Sequence, residues 1–415
     1  MSAKGAENAS PPEPVSRFVP VALTKPALTA AVGIDGGAIF QILATENLGL
    51  SSAAIGAAFG LGLLSLPLQL WAARMPLRLA KRNLQLFLVL AAIQSGLLAW
   101  LLAVGATDGL ASTALVVTVT AEVAVSVLFA TAWQPLLSTR ASTRDRQRIN
   151  AGWTALGRGL LAGALVVFSA VDVAGRSLVL LALSIVAIGV AVNLGRVTTA
   201  GINHHQAPTP TSDTPPQPLT PAMRWILASF IVINFGALPL WLVYLSEVIW
   251  PTVDLGMIGA IQTIAVVAAL LAWRTTEGDV GIRAMVGVLM ILGGSACLLT
   301  IGQTAESRTE HTAVLVVTVT MTFGMMYASL ALLEMTHRLV GQQDRVVRIF
   351  TLIDVVDSSS LQMGLFLGGL LVTWSARTTT ATPYGTFVAA MSLLAAAVMW
   401  QTVRITKHSG GDRAS

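Results

Sequence analysis

Charge is what this chain has least of. Asp, Glu, Lys and Arg make up 11% of its 415 residues, while 54% are hydrophobic. A soluble domain carries about 25% charged residues. So few charges cannot cover a water-facing surface of this size, which excludes a soluble globular protein and leaves lipid as the solvent for most of the chain. The one cysteine, Cys297, excludes an internal disulfide and tells nothing of the redox compartment. The five histidines, His204, His205, His311, His337 and His408, avoid the middles of the apolar runs and form no metal-spaced pair. With no Cys nucleophile or ligand cluster beside them, a membrane enzyme is disfavoured and no metal or cofactor is expected. No glycine-rich loop followed by Lys-Ser or Lys-Thr exists, so ATP hydrolysis is not supported. The formal charge of +5 lies in short loops rather than in a basic domain, which argues against nucleic acid as a partner. Met1 to Ser16 is polar and lacks the basic-then-apolar layout of a cleaved signal peptide.

What the chain has in quantity is long apolar runs. A bilayer core of about 30 Å needs roughly 20 apolar residues per helix. Twelve runs qualify, near 20–44, 53–73, 84–105, 111–137, 150–171, 177–196, 223–246, 254–273, 284–303, 312–336, 350–373 and 384–403. They are numbered here as spans 1 to 12. The stretch from Thr198 to Thr220 is rich in Pro, Thr and Ser and cannot build a core. The expected organisation is a tail (1–19), a six-helix bundle (20–197), a linker (198–222), a second six-helix bundle (223–404) and a second tail (405–415). His204 and His205 fall in the linker and read as solvated residues.

The halves repeat. Val116-Val117-Thr118-Val119-Thr120 returns as Val316-Val317-Thr318-Val319-Thr320, a shift of 200 positions. The same shift takes Gly36 to Gly236, Gly56 to Gly256, Arg74 to Arg274, Arg148 to Arg348 and Ile149 to Ile349. Two related membrane-embedded halves are the plan of a transporter that rocks around a central site.

Charge bias orients the spans. The breaks after spans 2, 4, 8 and 10 hold Arg74, Arg78, Lys81 and Arg82; Arg140, Arg144, Arg146 and Arg148; Arg274 and Arg283; and Arg338, Arg345 and Arg348. The opposite breaks hold Arg176, Arg308 and Arg377 among acids such as Glu46, Asp172, Glu247 and Asp254. Lys and Arg gather on the cytoplasmic side. Both termini and the linker are therefore expected to be cytoplasmic; the other face is called the outer one below.

Ionisable residues within the spans are functional candidates, because a charge near mid-bilayer costs about 2.5–3.5 kcal/mol on insertion scales. Asp35 lies in span 1, Glu122 in span 4, Arg158 in span 5, and Asp354 with Asp357 in span 11. Asp35 is flanked by Gly33, Gly36 and Gly37, which would allow close approach. Glu122 and Arg158 stand near the middles of consecutive antiparallel helices and could pair. These three are the candidates for proton coupling or solute binding, and Arg158 is read as the only basic residue deep in a span. Asp354 and Asp357 share a helix face. They read as gate residues meeting arginines of the cytoplasmic loops, with Arg345, Arg348, Arg74 and Arg78 as candidates; a solute site is the alternative. Glu334 is expected to form a rim pair with Arg338. Phe40, Asn234, Trp241, Tyr244, Phe323 and Tyr327 are candidate cavity-lining residues, with helix packing as the alternative for the aromatics. The spacings Gly56-xxx-Gly60, Gly159-xxx-Gly163 and Gly364-xxx-Gly368 suit close helix packing. Trp71, Trp250, Trp273, Trp374 and Trp400 fall near span ends and read as interfacial anchors.

Six plus six spans, a cytoplasmic middle linker and a basic loop after span 2 resemble the major facilitator superfamily. The run Leu48-Gly49-Leu50-Ser51-Ser52-Ala53-Ala54-Ile55-Gly56 is similar to that family's short outer loop and small-residue start of helix 2. Arg140 to Gly163 is similar to its basic loop 4–5 and glycine-rich helix 5. Two departures stand out. Trp71-Ala72-Ala73-Arg74-Met75-Pro76-Leu77-Arg78 keeps the basic residues of the loop 2–3 signature but lacks its aspartate and glycines, and Leu161-Ala162-Gly163-Ala164 lacks the Gly-Pro pair of the antiporter signature. The resemblance is to the superfamily and not to its drug-antiporter branch. It implies an all-α polytopic membrane protein of twelve helices in two pseudo-symmetric six-helix bundles. It also implies that helices 1, 4, 7 and 10 line the cavity and that helix 11 flanks the interface between halves. The function expected is proton-coupled export of a small amphipathic solute by alternating access, in the plasma membrane and as a monomer, with protons and the lipid bilayer as partners. Uptake by proton symport is the alternative.

Overall fold

The computed structural model describes residues 18–32, 37–72, 79–105, 148–195, 219–236, 240–276, 278–301, 307–340, 346–378 and 382–411, with residue 16 and scattered positions between 109 and 145. Its regular elements are all helical among the described residues. Among those residues, nine helices are long and apolar enough to cross a membrane, and they coincide with spans 3 and 5 to 12. Span 1 is described as two pieces, Val19–Val32 and Ala38–Ile42. Span 2 runs as Ser52–Leu61, a 3-10 turn Gly62–Ser65 and Leu66–Ala72. Most of span 4, and the linker from 196 to 218, lie outside the described residues. The last helix, Thr382–Gly411, carries on past the expected end of the second bundle at 404.

Helix starts follow from the short polar breaks. Ser51, Asp172, Asp254 and Asp279 are N-caps of spans 2, 6, 8 and 9, their side chains accepting from the N–H groups of Ala54, Gly175, Met257 and Gly281. Each satisfies a backbone donor that the first helical turn leaves open.

Apolar side chains point outward where a soluble helix would carry charge: Leu64, Leu178 and Val192 are 72%, 66% and 68% exposed. That is a lipid-facing surface. Trp71, Trp374 and Trp400 are exposed near span ends, as anchors should be. Trp250 and Trp273 differ. Trp250 stacks on His311 with ring centroids 3.8 Å apart, and Trp273 packs edge-on against Tyr327 at 5.4 Å. Aromatic partners hold these two rings within the bundle.

The repeat is visible in the packing. Span 2 lies on span 11 where Gly56 meets Gly369, and a Cβ on Gly56 would come within 2.9 Å of the Gly369 Cα. Span 8 lies on span 5 where a Cβ on Gly256 would collide with Ser169. Adding 200 to positions 56 and 169 gives 256 and 369, so the two contacts are symmetry mates across the halves. Spans 1 and 7 match as well: each ends at the outer face in a π-helical turn, Leu43–Asn47 and Leu245–Ile249.

Gly60 packs on Phe366 and Gly364 on Asn234, as their spacing suggested. Gly159 and Gly163 do not pack: both are exposed, and nothing lies within 4 Å of a Cβ built there. Gly157 takes the close contact in span 5, where a Cβ would stand 2.7 Å from the Leu23 carbonyl oxygen of span 1. Two residues turn a helix by about 200°, so the Gly159 stripe faces away from the side that packs.

Candidate transport site and gates

Span 7 is described over the helix Pro221–Gly236 and again from Leu240, with a further helix over Trp241–Tyr244. Between them Leu240 has φ +55°, a left-handed backbone that costs an L-residue with a side chain roughly 1–2 kcal/mol. Packing is built on either side of Leu240.

On the inner side Asn234 faces span 11. Its amide Nδ2 donates toward the Asp357 carboxylate at 2.9 Å, the Asp357 carbonyl at 3.0 Å and the Ser360 hydroxyl at 2.8 Å. The Ser360 hydroxyl in turn donates to the Asp357 carbonyl at 3.0 Å. Two amide protons thus serve three acceptors, and Asp357 is held toward span 7. Asp354, one turn earlier, lies within electrostatic range of Asp357 and of Lys25 in span 1. The Lys25 ammonium also sits 4.3 Å from the centre of the Phe129 ring of span 4. A cation of the first half, with an aromatic face beside it, is thus within electrostatic range of an acid of the second. Lys25 lies within the apolar run that begins at residue 20, so Arg158 is not the only cation inside the spans. Its signal was its position before Pro26, inside the run rather than in front of it.

On the outer side Trp241 and Tyr244 are 1% exposed. The Trp241 indole donates to the Thr318 hydroxyl at 2.9 Å, and Tyr244 stacks on Tyr384 at 3.9 Å. Phe40 is buried edge-on against Phe59 at 5.1 Å. In this conformation these three rings pack the core. Phe323 is half-buried and stacks on Tyr327 at 5.6 Å. Arg158 is half-buried on span 5. Glu334 and Arg338 form the expected rim pair at 3.1 Å. Asp35, Glu122, Arg74, Arg78 and Arg345 lie outside the described residues, and so does the side chain of Arg348.

Two outer carboxylates on the π-turns have different partners. Glu46 accepts from Arg176 at 2.6 Å, and Arg176 also donates to the Asn47 side chain at 2.6 Å and the Phe168 carbonyl at 3.0 Å. All four residues belong to the first half, so Arg176 locks that half internally. Glu247 instead reaches across. Its two oxygens accept from the Ser52 N–H at 3.0 Å and the Ser52 hydroxyl at 2.8 Å, at the start of span 2. The Ser52 hydroxyl lies 2.9 Å from that of Thr373 in span 11. Sequence reading passed over both acids, because at a loop edge they look like ordinary solvated charges.

No family model matches the chain, and no curated protein matches it by sequence. Solved structures do match. The nucleoside transporter NupG is 11% identical and superposes over 94% of this chain and 99% of its own, with a TM-score of 0.57. A POT family transporter in complex with a thioalcohol conjugated peptide is 11% identical over 95% of this chain and 96% of its own, at 0.59. A bacterial homologue of the iron transporter ferroportin, in an outward-facing state, is 17% identical over 92% and 99%, at 0.54. This is the major facilitator fold. The Gly56–Gly369 and Gly256–Ser169 contacts join the two repeated halves at their outer ends.

Proposed function

We propose that the protein is a secondary active transporter working by alternating access, exporting a small amphipathic solute in exchange for protons. The observation that carries this reading is the pair of symmetry-related glycine contacts, Gly56–Gly369 and Gly256–Ser169, closing one end of two repeated halves. Close contacts between two repeated halves at one end of a bundle give a rocking mechanism something to part and something to turn on. Lys25 and Asp354, charges of opposite halves within electrostatic range of one another, give solute and protons something to bind. Coupling is assigned to the intramembrane acids Asp35, Glu122 and Asp354, with Asp357 and Asn234 shaping the wall beside them. The basic loops on one face support a cytoplasmic position for both termini.

The test is flux in proteoliposomes driven by an imposed proton gradient, wild type beside Asp35→Asn and Asp354→Asn. Wild type should move a solute against its gradient, and at least one variant should keep solute exchange while losing the response to protons. Equal proton-driven flux in both variants would remove these acids from the coupling path. Gradient-driven accumulation inside right-side-out vesicles, rather than expulsion, would reverse the direction to uptake.

A further inference from the structure

The two outer contacts are symmetric in backbone and unequal in chemistry. Both contacts continue along the helices, Gly60 lying on Phe366 between spans 2 and 11, and between spans 5 and 8 the Ser169 hydroxyl stands 3.5 Å from the Asp254 carboxylate. Gly256 lies against Ser169 and the Leu165 carbonyl, Ala155 shares a buried cluster with Val266 and Leu270, and at the inner end a Cβ on Gly152 would stand 3.5 Å from an Arg274 guanidinium nitrogen. Between spans 2 and 11 the outer contact is fastened by polar groups: Glu247 on Ser52, and Ser52 on Thr373. The symmetry mates of these residues cannot repeat the arrangement. Asn47 stands where Glu247 has its carboxylate and is engaged by Arg176 of its own half. Val173 stands where Thr373 has its hydroxyl.

We propose that Glu247 is the latch of the outer gate: outward opening parts span 2 from spans 7 and 11 by drawing the Glu247 carboxylate off Ser52 and the Ser52 hydroxyl off Thr373, while spans 5 and 8 stay together as the pivot. The proposal rests on the alternating-access reading. Ser52 is 1% exposed and its N–H is one of the donors that a first helical turn cannot satisfy alone. The carboxylate supplies that acceptor and a negative charge at the positive end of the helix. Glu247 itself is exposed, so on release it returns to water without first giving up a buried environment. Arg176, 8% exposed and bound three ways, has no such exit. One acid is thus placed to hold and let go, and the other to hold.

The experiment is a distance measurement between spin labels at Ala174→Cys and Ala376→Cys, both exposed at outer ends of opposite halves, in a Cys297→Ser background. Full-length protein in nanodiscs is used, with and without a proton gradient-mimicking pH step. Glu247→Ala should raise the ratio of long to short distances roughly three- to tenfold, the range set by a charge-assisted bond at an exposed site. Ser52→Ala and Thr373→Val should each raise it less. Ser169→Ala, on the pivot side, should leave it unchanged. An unchanged ratio in Glu247→Ala, while the wild type still moves between two distances, overturns the latch alone. An equal shift in Ser169→Ala overturns its one-sidedness. A single distance in every sample overturns the alternating-access reading beneath it.

Discussion

Gly369 stands so close to Gly56 that neither can carry a side chain: a Cβ on Gly369 would lie 2.5 Å from the Ser52 carbonyl oxygen and 2.8 Å from the Gly56 Cα. Both obstacles are backbone and cannot swing aside. Gly369→Ala should therefore force spans 2 and 11 apart, at an overpacking cost of about 1–3 kcal/mol. Faster labelling of an Ala53→Cys thiol by a membrane-impermeant maleimide would register the gap. Gly159→Ala makes the contrast, because it meets nothing within 4 Å. It should leave labelling unchanged and raise the thermal midpoint slightly, since Ala is favoured over Gly in a helix by about 0.5–1 kcal/mol.

Asn234 holds Asp357 and Ser360 together. Asn234→Ala leaves a half-buried carboxylate short of its donor and should destabilise the second half by about 1.5–3 kcal/mol. A lower unfolding midpoint in detergent is the readout. Asp357→Asn on the same background should recover part of the loss, because the carboxylate that has lost the Asn234 donor is then neutral. No recovery would mean that Asn234 acts by shape alone.

Arg176 supplies a planar fork to three acceptors, at 2.6, 2.6 and 3.0 Å. Lysine cannot reproduce that geometry. Arg176→Lys and Arg176→Ala should thus both lower stability, the alanine by about 2–3 kcal/mol and the lysine by most of that. If lysine restored the wild-type midpoint, charge rather than the fork would be the stabilising element.

Asp279 caps span 9 and bridges to Lys407 of span 12 at 2.9 Å. Its hydrogen bond from Lys407, then that from the Gly281 N–H, hold its carboxyl below the ordinary carboxylate value. A carboxyl lowered in the folded state contributes stability that is fully present above its ordinary pKa and is lost as pH falls through the folded value. The wild type should lose part of its stability on that acid limb. Lys407→Met should lose less there and differ little at pH 7, because this pair is well exposed. The unfolding midpoint from pH 6 down to pH 3, wild type beside Lys407→Met, is the comparison.

Much of the fold could be read from the chain because lipid leaves few options. Apolar runs of about 20 residues must be helices, since no other single segment satisfies its own backbone in a bilayer. The 200-residue shift pointed to Gly56 and Gly256, whose contacts lie nine spans on, at Gly369, and three spans back, at Ser169, and could not be named from the shift alone. Side-chain roles were harder to read. Gly159 and Gly163 had the right spacing on the wrong face, which spacing cannot tell without the helix's rotation. Trp241 and Tyr244 belonged to a cavity helix but are spent on Thr318 and Tyr384. Lys25 was hidden by its nearness to a span boundary. Glu247 was hidden by its exposure, because nothing local to it says that Ser52, 195 positions away, comes to meet it.

The left-handed backbone of Leu240 separates two loyalties within one membrane crossing. Below it, Asn234 ties the strand of chain to its own half; above it, Glu247 is tied to the neighbour. A rigid rod would transmit every tilt from one tether to the other. A left-handed residue between the two tethers gives the mouth of the protein room to part while the floor keeps its grip.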